Sequence, residues 1–244
     1  MLSDTNKSIR DSAERAIQTF LIEISQRPIE VKKKELIPST VDICIRRRTD
    51  STKAVRSTCM HWLGEFVYWG GDALVDRFPE FIKAVIDGVQ DSVGEDDEEN
   101  VHLAKRLDRE LQNIARSTVA CENLNEKQLL KVLIQNITDK NKIVRETCLN
   151  WISLLLDMVP KRLASSTDEL IPSLLGCLND QADDLVFSSI SALARIARNE
   201  SNQSERILYD LLIKFDKDRN LLEQRGAFII RKLCILLQPN VVYL

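Results

Sequence analysis

The side chains capable of acid–base, metal or nucleophilic chemistry are few and widely spaced. There are two histidines, His61 and His102, 41 positions apart, and neither belongs to a run of three or more His, Cys and carboxylate ligands at a recognised metal-motif spacing. A zinc site needs three or four such ligands brought together by short, regular intervals, so no metal is expected here. The six cysteines (Cys44, Cys59, Cys121, Cys148, Cys177, Cys234) form no Cys-x-x-Cys pair. Several fall among apolar residues at helical spacing, and they read as free, buried thiols of a reducing compartment. No glycine-rich phosphate loop, nucleophile elbow or dinucleotide fingerprint occurs. The sequence therefore predicts no catalytic residue and no cofactor.

Charge is the remaining chemistry. The acidic run Glu95-Asp96-Asp97-Glu98-Glu99 follows Gly94. It reads as a solvated loop whose end favours the positive N-terminus of the next helix. Two basic triplets, Lys32-Lys33-Lys34 and Arg46-Arg47-Arg48, flank a short apolar segment. They read either as solvated helix ends or as a patch for an acidic partner or anionic lipid headgroups. Net charge is −3, which supplies no general attraction to nucleic acid. The uncharged stretch from Leu233 to Leu244 is too short to span a bilayer, and the N-terminal residues lack an apolar signal region. A soluble, non-secreted protein is expected.

The elements that carry these residues repeat. Val55-Arg56-Ser57-Thr58-Cys59-Met60-His61-Trp62-Leu63 and Val144-Arg145-Glu146-Thr147-Cys148-Leu149-Asn150-Trp151-Ile152 share Val, Arg, Thr, Cys and Trp at matching positions. Related registers at Ile9-Arg10, Val101, Val186 and Gln224-Arg225 give steps of 38 to 46 residues. Such periods belong to HEAT and armadillo arrays, in which each unit is a helix pair. Leu129, Leu130, Leu133 and Ile137 mark a first helix; Val144, Cys148, Trp151, Ile152 and Leu155 mark a second. The turn between them carries Asp4, Asp50, Asp139 or Asp180, each expected to cap the second helix. Pro28, Pro38, Pro79, Pro160 and Pro172 fall near helix starts and bends, and Gly70-Gly71 is expected to end a second helix. Arg56, Arg145 and Arg225 recur beside these turns and read as a ladder tying successive units. Trp62 and Trp151 read as core, Tyr68 and Trp69 as partly exposed contacts. One helix pair cannot bury both of its apolar stripes, so neighbouring pairs stack. We expect an all-α HEAT-repeat α-solenoid, a right-handed superhelix of antiparallel pairs, with residues 1–244 forming one array of about five to six units. The second helices would line one side as an extended binding surface.

One stretch is more specific than the repeat. Arg219-Asn220-Leu221-Leu222-Glu223-Gln224-Arg225-Gly226-Ala227-Phe228-Ile229-Ile230-Arg231-Lys232-Leu233-Cys234-Ile235-Leu236-Leu237 resembles the pattern R-K-L-L-E-V-R-G-P-F-I-I-R-Q-L-C-L-L-L. That pattern belongs to the HEAT-repeat scaffold subunit of the phosphatidylinositol 3-phosphate 5-kinase complex, the associated regulator of PIKfyve. Trp62-Leu63-Gly64-Glu65-Phe66 is similar to a W-L-R-E-F segment of the same family, and Leu149-Asn150-Trp151-Ile152 also agrees. Gln224 replaces an apolar residue of the pattern and Ala227 a proline. The resemblance implies a non-catalytic scaffold that assembles the lipid kinase with an opposing lipid phosphatase, peripherally on endosomal, lysosomal or vacuolar membranes from the cytoplasm, without nucleic acid. It also implies that this sequence is an internal portion of a longer solenoid, with self-association residing in the parent. A general HEAT adaptor of the phosphatase-scaffold or transport-receptor type is the alternative reading.

Overall fold

The computed structural model describes residues 2, 4–28, 37–90, 98–117, 120–199 and 201–237, with the side chains of 120, 121, 201 and 202 left aside. Among the described residues there is no strand. The chain is an all-α HEAT-repeat α-solenoid, and it divides into two compact units, residues 1–125 and 126–244.

The first unit begins with α1 (Lys7–Gln26), followed by α2 (Ile37–Arg47) and α3 (Lys53–Gly70), then by α4 (Phe78–Gln90) and α5 (Glu98–Ala115). α2 packs on α3, α4 on α5, and α3 on α5, so each second helix stacks against the next. The interface side of α3 follows the helical period: Cys59, Trp62, Leu63, Phe66 and Gly70 are all buried. Gly71 stops it. Its φ of 52° is the only positive value among the described residues, and its N–H donates back to Val67 O before a 3₁₀ stretch (Gly71–Arg77) leads into α4. A Cβ there would be strained, which is why the sequence has glycine. α4 lies under both neighbours and buries Phe78, Phe81, Ile82, Val85, Ile86 and Val89. Each such side chain contributes roughly 1.5–3 kcal/mol on leaving water. Gly88 makes this packing close: a Cβ at that position would lie 2.6 Å from Met60 Cε and 3.1 Å from Ala104 Cβ.

The second unit pairs α6 (Glu126–Asn136) with α7 (Lys142–Met158) and α8 (Thr167–Gly176) with α9 (Asp183–Asn199); α10 (Ser201–Lys217) packs on α9, and α11 (Ala227–Leu236) follows. α7, α9 and α11 stack in order through α9. Asn141 opens α7 by accepting from Ile143 N at 2.9 Å, and Trp151 is fully buried on the same side as Val144, Cys148 and Leu155. Pro38 and Pro79 are the second residues of α2 and α4, Pro160 opens a short helical turn, and Pro172 lies inside α8.

Candidate interaction surfaces

The turns that join first to second helices follow one design. The carboxylates of Asp4, Asp50, Asp139 and Asp180 accept from the backbone N–H two residues on (Asn6, Thr52, Asn141, Ala182) at 2.7–3.0 Å. These aspartates therefore shape the turn, while the residue that caps α1 or α7 is Asn6 or Asn141 two positions later. That differs from the expected direct cap, because Asp precedes the first helical residue by three positions and reaches only the cap residue's own amide. An arginine one turn into the helix then reaches back. Arg10 Nη1 donates to the carbonyls of Asp4 and Thr5, Arg56 Nη1 to those of Asp50 and Ser51, and Arg145 Nη1 to those of Asp139 and Lys140, at 2.7–3.2 Å.

Arg145 also ties one repeat to the next. Its Nε and Nη2 donate to Asp180 at 2.5 and 3.0 Å, a two-pronged clasp with both side chains largely out of water. Burial raises the Asp180 carboxyl, and the Arg145 guanidinium together with the Ala182 amide more than offset it, leaving the group below the usual carboxylate range. Arg225 behaves differently. It reaches backward to Asp183 at 2.6 Å and to the Gln181 carbonyl at 3.2 Å. The expected ladder thus runs in both directions, and it is joined by cations that the repeat pattern did not single out: Arg48, Arg77, Arg162, Arg195 and Arg206, paired with Asp87, Asp42, Glu126, Asp157 and Asp168. These pairs join residues some 35 to 40 positions apart, a single repeat period, which is the one signal by which sequence could have found them.

The basic triplet in the described residues is divided by the fold. Arg48 turns inward, its Nε 2.5 Å from Asp87 and its Nη1 on the Ile45 carbonyl. It is a structural tie and unavailable to a partner. Arg47 keeps an exposed pairing with Asp50 at 3.0 Å, and Arg46 Nε donates to the Asp42 carbonyl at 3.2 Å. Both flank the exposed Ile43 on the outer side of α2. Lys32, Lys33 and Lys34 lie outside the described residues, as do Glu95, Asp96 and Asp97 of the acidic run.

The family-like segment contains a local irregularity. Asp218 caps Leu221, after which Leu222–Gly226 forms one π-helical turn before α11. A π turn widens the helix by one residue and is frequent at functional sites. Glu223 and Gln224 are exposed on it, and Gly226 is buried with Leu222 Cδ1 2.8 Å from where a Cβ would stand. Beyond it Ile229 is buried, Phe228 and Ile230 are half-buried, and Arg231 is exposed. The Lys232 ammonium lies 4.9 Å from the ring centroid of Phe187 and 5.8 Å from that of Phe228, joining α9 and α11 by cation–π attraction. Trp62 and Trp151 are core as expected, and Tyr68 is exposed. Phe187, which carried no expectation, is a further exposed aromatic.

Stacked helix pairs, with ion pairs joining residues about one repeat apart within each unit, define a helical-repeat protein of the HEAT type. Residues 109–240 match the family described as Cnd1, non-SMC mitotic condensation complex subunit 1. That stretch is more than half of the chain, and the chain belongs to this family. Over its whole length the chain is also similar to Protein VAC14 homolog of Arabidopsis thaliana, 29% identical over 244 residues, covering 100% of this chain and 31% of that protein. Protein VAC14 homolog of Schizosaccharomyces pombe is 24% identical over 253 residues, covering 97% and 30%. Vacuole morphology and inheritance protein 14 of Saccharomyces cerevisiae is 20% identical over 211 residues, covering 84% and 23%. These are relatives of the kind that the Arg219–Leu237 segment pointed to. The chain spans less than a third of the length of each of them.

Proposed function

We propose that this chain is a portion of a non-catalytic scaffold subunit that assembles a phosphatidylinositol 3-phosphate 5-kinase with its opposing lipid phosphatase. The observation that carries this reading is the likeness to the VAC14 homologues from one end of the chain to the other. A general adaptor is less well supported, because the likeness to the VAC14 homologues extends over 100% and 97% of the chain. The scaffold would sit peripherally on endosomal, lysosomal or vacuolar membranes and support synthesis and turnover of phosphatidylinositol 3,5-bisphosphate. Residues 1–244 would then be one array of five to six units within the longer solenoid, with self-association supplied by the parent. Leu222, Glu223, Arg225, Gly226, Phe228, Ile229, Ile230 and Arg231 would be the segment that marks the family, with Glu223 and Arg231 as its exposed members.

The test is co-purification of the full-length parent from cells, read by mass spectrometry. Recovery of the lipid kinase is expected. Its absence would leave the repeat fold standing and remove the assignment. A lipid contact by Arg46 and Arg47, with the lysine triplet, is a separate reading favoured by the exposed Ile43 between the arginines. Flotation of the chain with anionic vesicles should weaken when both arginines become Glu, and unchanged flotation would reject it.

A further inference from the structure

Two cysteines meet where α2 packs on α3. Cys44 of α2 and Cys59 of α3 are hydrogen-bonded thiol to thiol within that interface. Both are free thiols, 5% and 7% exposed. The sister helix pair in the second unit shows that packing alone does not ask for this arrangement. α2 and α6 are each 11 residues long, and the same number of residues separates each from its second helix. In that register Cys59 matches Cys148, but Cys44 matches Leu133, which is fully buried. The position therefore accepts leucine in this kind of helix pair. A second thiol against Cys59 adds a reactivity that the core does not need.

The surroundings make the two sulfurs unequal. The hydrogen bond from the Cys44 thiol holds Cys59 below the ordinary thiol range, and the Arg47 guanidinium acts in the same direction against burial and the Asp50 charge. The same bond, together with burial, pushes Cys44 up. Cys59 is thus the sulfur that becomes a thiolate first, and the thiolate is the nucleophile. An oxidant that reaches it must be small, because so little of either residue is open to water. Hydrogen peroxide meets that condition.

We propose that Cys44 and Cys59 are a reversible oxidative modification site, which a peroxide closes into a disulfide that clamps α2 onto α3. The Cys59 thiolate attacks one oxygen of hydrogen peroxide and the O–O bond breaks. That leaves the sulfenic acid of Cys59 and a hydroxide, which takes up the proton Cys59 released. The Cys44 sulfur then attacks the Cys59 sulfur, its S–H and the S–OH bonds break, and water leaves. The pair of thiols is oxidised to one disulfide, and the peroxide is reduced to water. A dithiol reductant restores the thiols by exchange. The outer side of α2 carries Arg46, Arg47 and the exposed Ile43, so the clamp acts on that face. The site does not rest on the kinase assignment.

The test treats the folded chain with hydrogen peroxide, blocks the remaining thiols with iodoacetamide in denaturant, and maps the peptides without reduction. The expected product joins the peptide of Cys44 to that of Cys59, two hydrogens lighter than the free pair, while Cys148 is recovered alkylated. Dithiothreitol should return both cysteines to the alkylated form. Amide hydrogen exchange of the bridged chain should slow in α2 by at least about threefold and stay unchanged in α6. Cys44→Leu, which gives this repeat the residue its sister carries, should show no slowing after peroxide. Recovery of Cys44 and Cys59 as separate alkylated peptides, a bridge chiefly to some other cysteine, failure of dithiothreitol to reverse it, unchanged exchange in α2 of the bridged chain, or slowing that persists in Cys44→Leu would each overturn the proposal.

Discussion

Replacing Arg145 with alanine tests the clasp between repeats. The substitution removes four hydrogen bonds at once: two to the Asp180 carboxylate and two to the carbonyls of Asp139 and Lys140. The arginine side chain is 16% exposed and that of Asp180 7%, so the abandoned carboxylate stays mostly out of water with the Ala182 amide as its remaining donor. Breaking a buried pair from one side costs about 3–5 kcal/mol, and the residual exposure of Arg145 brings the expected loss to about 2–4 kcal/mol. The variant with Asp180→Asn added keeps an acceptor for the Ala182 amide and removes the stranded charge. It should recover part of the loss, giving a coupling of about 1–3 kcal/mol in a double-mutant cycle. The pH dependence has a fixed sign. The Asp180 carboxyl lies below its unfolded value, so its contribution is complete above the unfolded range near about 4 and fades as pH falls through the folded value. The difference between wild type and Arg145→Ala should therefore narrow in acid. Urea unfolding followed by circular dichroism between pH 7 and pH 3 measures this. A loss below about 0.5 kcal/mol at pH 7, or one that does not change with pH, would refute the clasp as a stabilising tie.

Two further outcomes rest on side chains the repeat pattern left unexplained. Asn100 is 1% exposed, and neither its amide nitrogen nor its oxygen has a partner among the described residues. Asn100→Leu should raise stability by about 1–2 kcal/mol by removing two unsatisfied polar atoms, and a lowered urea midpoint would contradict this. Cys177 is buried and its thiol is pushed up to about 11, chiefly by burial. In the native chain at pH 8 it should react with a thiol reagent far more slowly than the half-buried Cys234. Peptide mapping after a brief reaction reads the order, and equal labelling would show that burial does not protect Cys177.

Much of the architecture was legible in the residues themselves. The recurrence of Val, Arg, Thr, Cys and Trp between positions 55 and 144 reflects a physical requirement, since each second helix must bury the same stripe against its neighbours. Gly71 was legible for a similar reason: the chain turns there with φ at 52°, where a side chain would be strained. Among the described residues, the free thiols of Cys44, Cys59, Cys148, Cys177 and Cys234, the buried Trp62 and Trp151, and the turn aspartates Asp4, Asp50, Asp139 and Asp180 could be read from local spacing.

Which charge meets which was decided only by the tertiary structure. Arg46, Arg47 and Arg48 are equivalent in a sequence, yet Arg48 alone comes within 2.5 Å of Asp87, because the following repeat brings that carboxylate beside the end of α2. The Asp residues proved to shape turns because the cap falls two residues later, a distinction of one hydrogen bond that spacing cannot make. The π turn at Leu222–Gly226 leaves the composition of its helix unchanged. Periodicity fixes which face of each helix is apolar, since that depends on neighbours three and four residues away. Ion pairs depend on residues a full repeat apart, whose separation is set by the packing of whole helices.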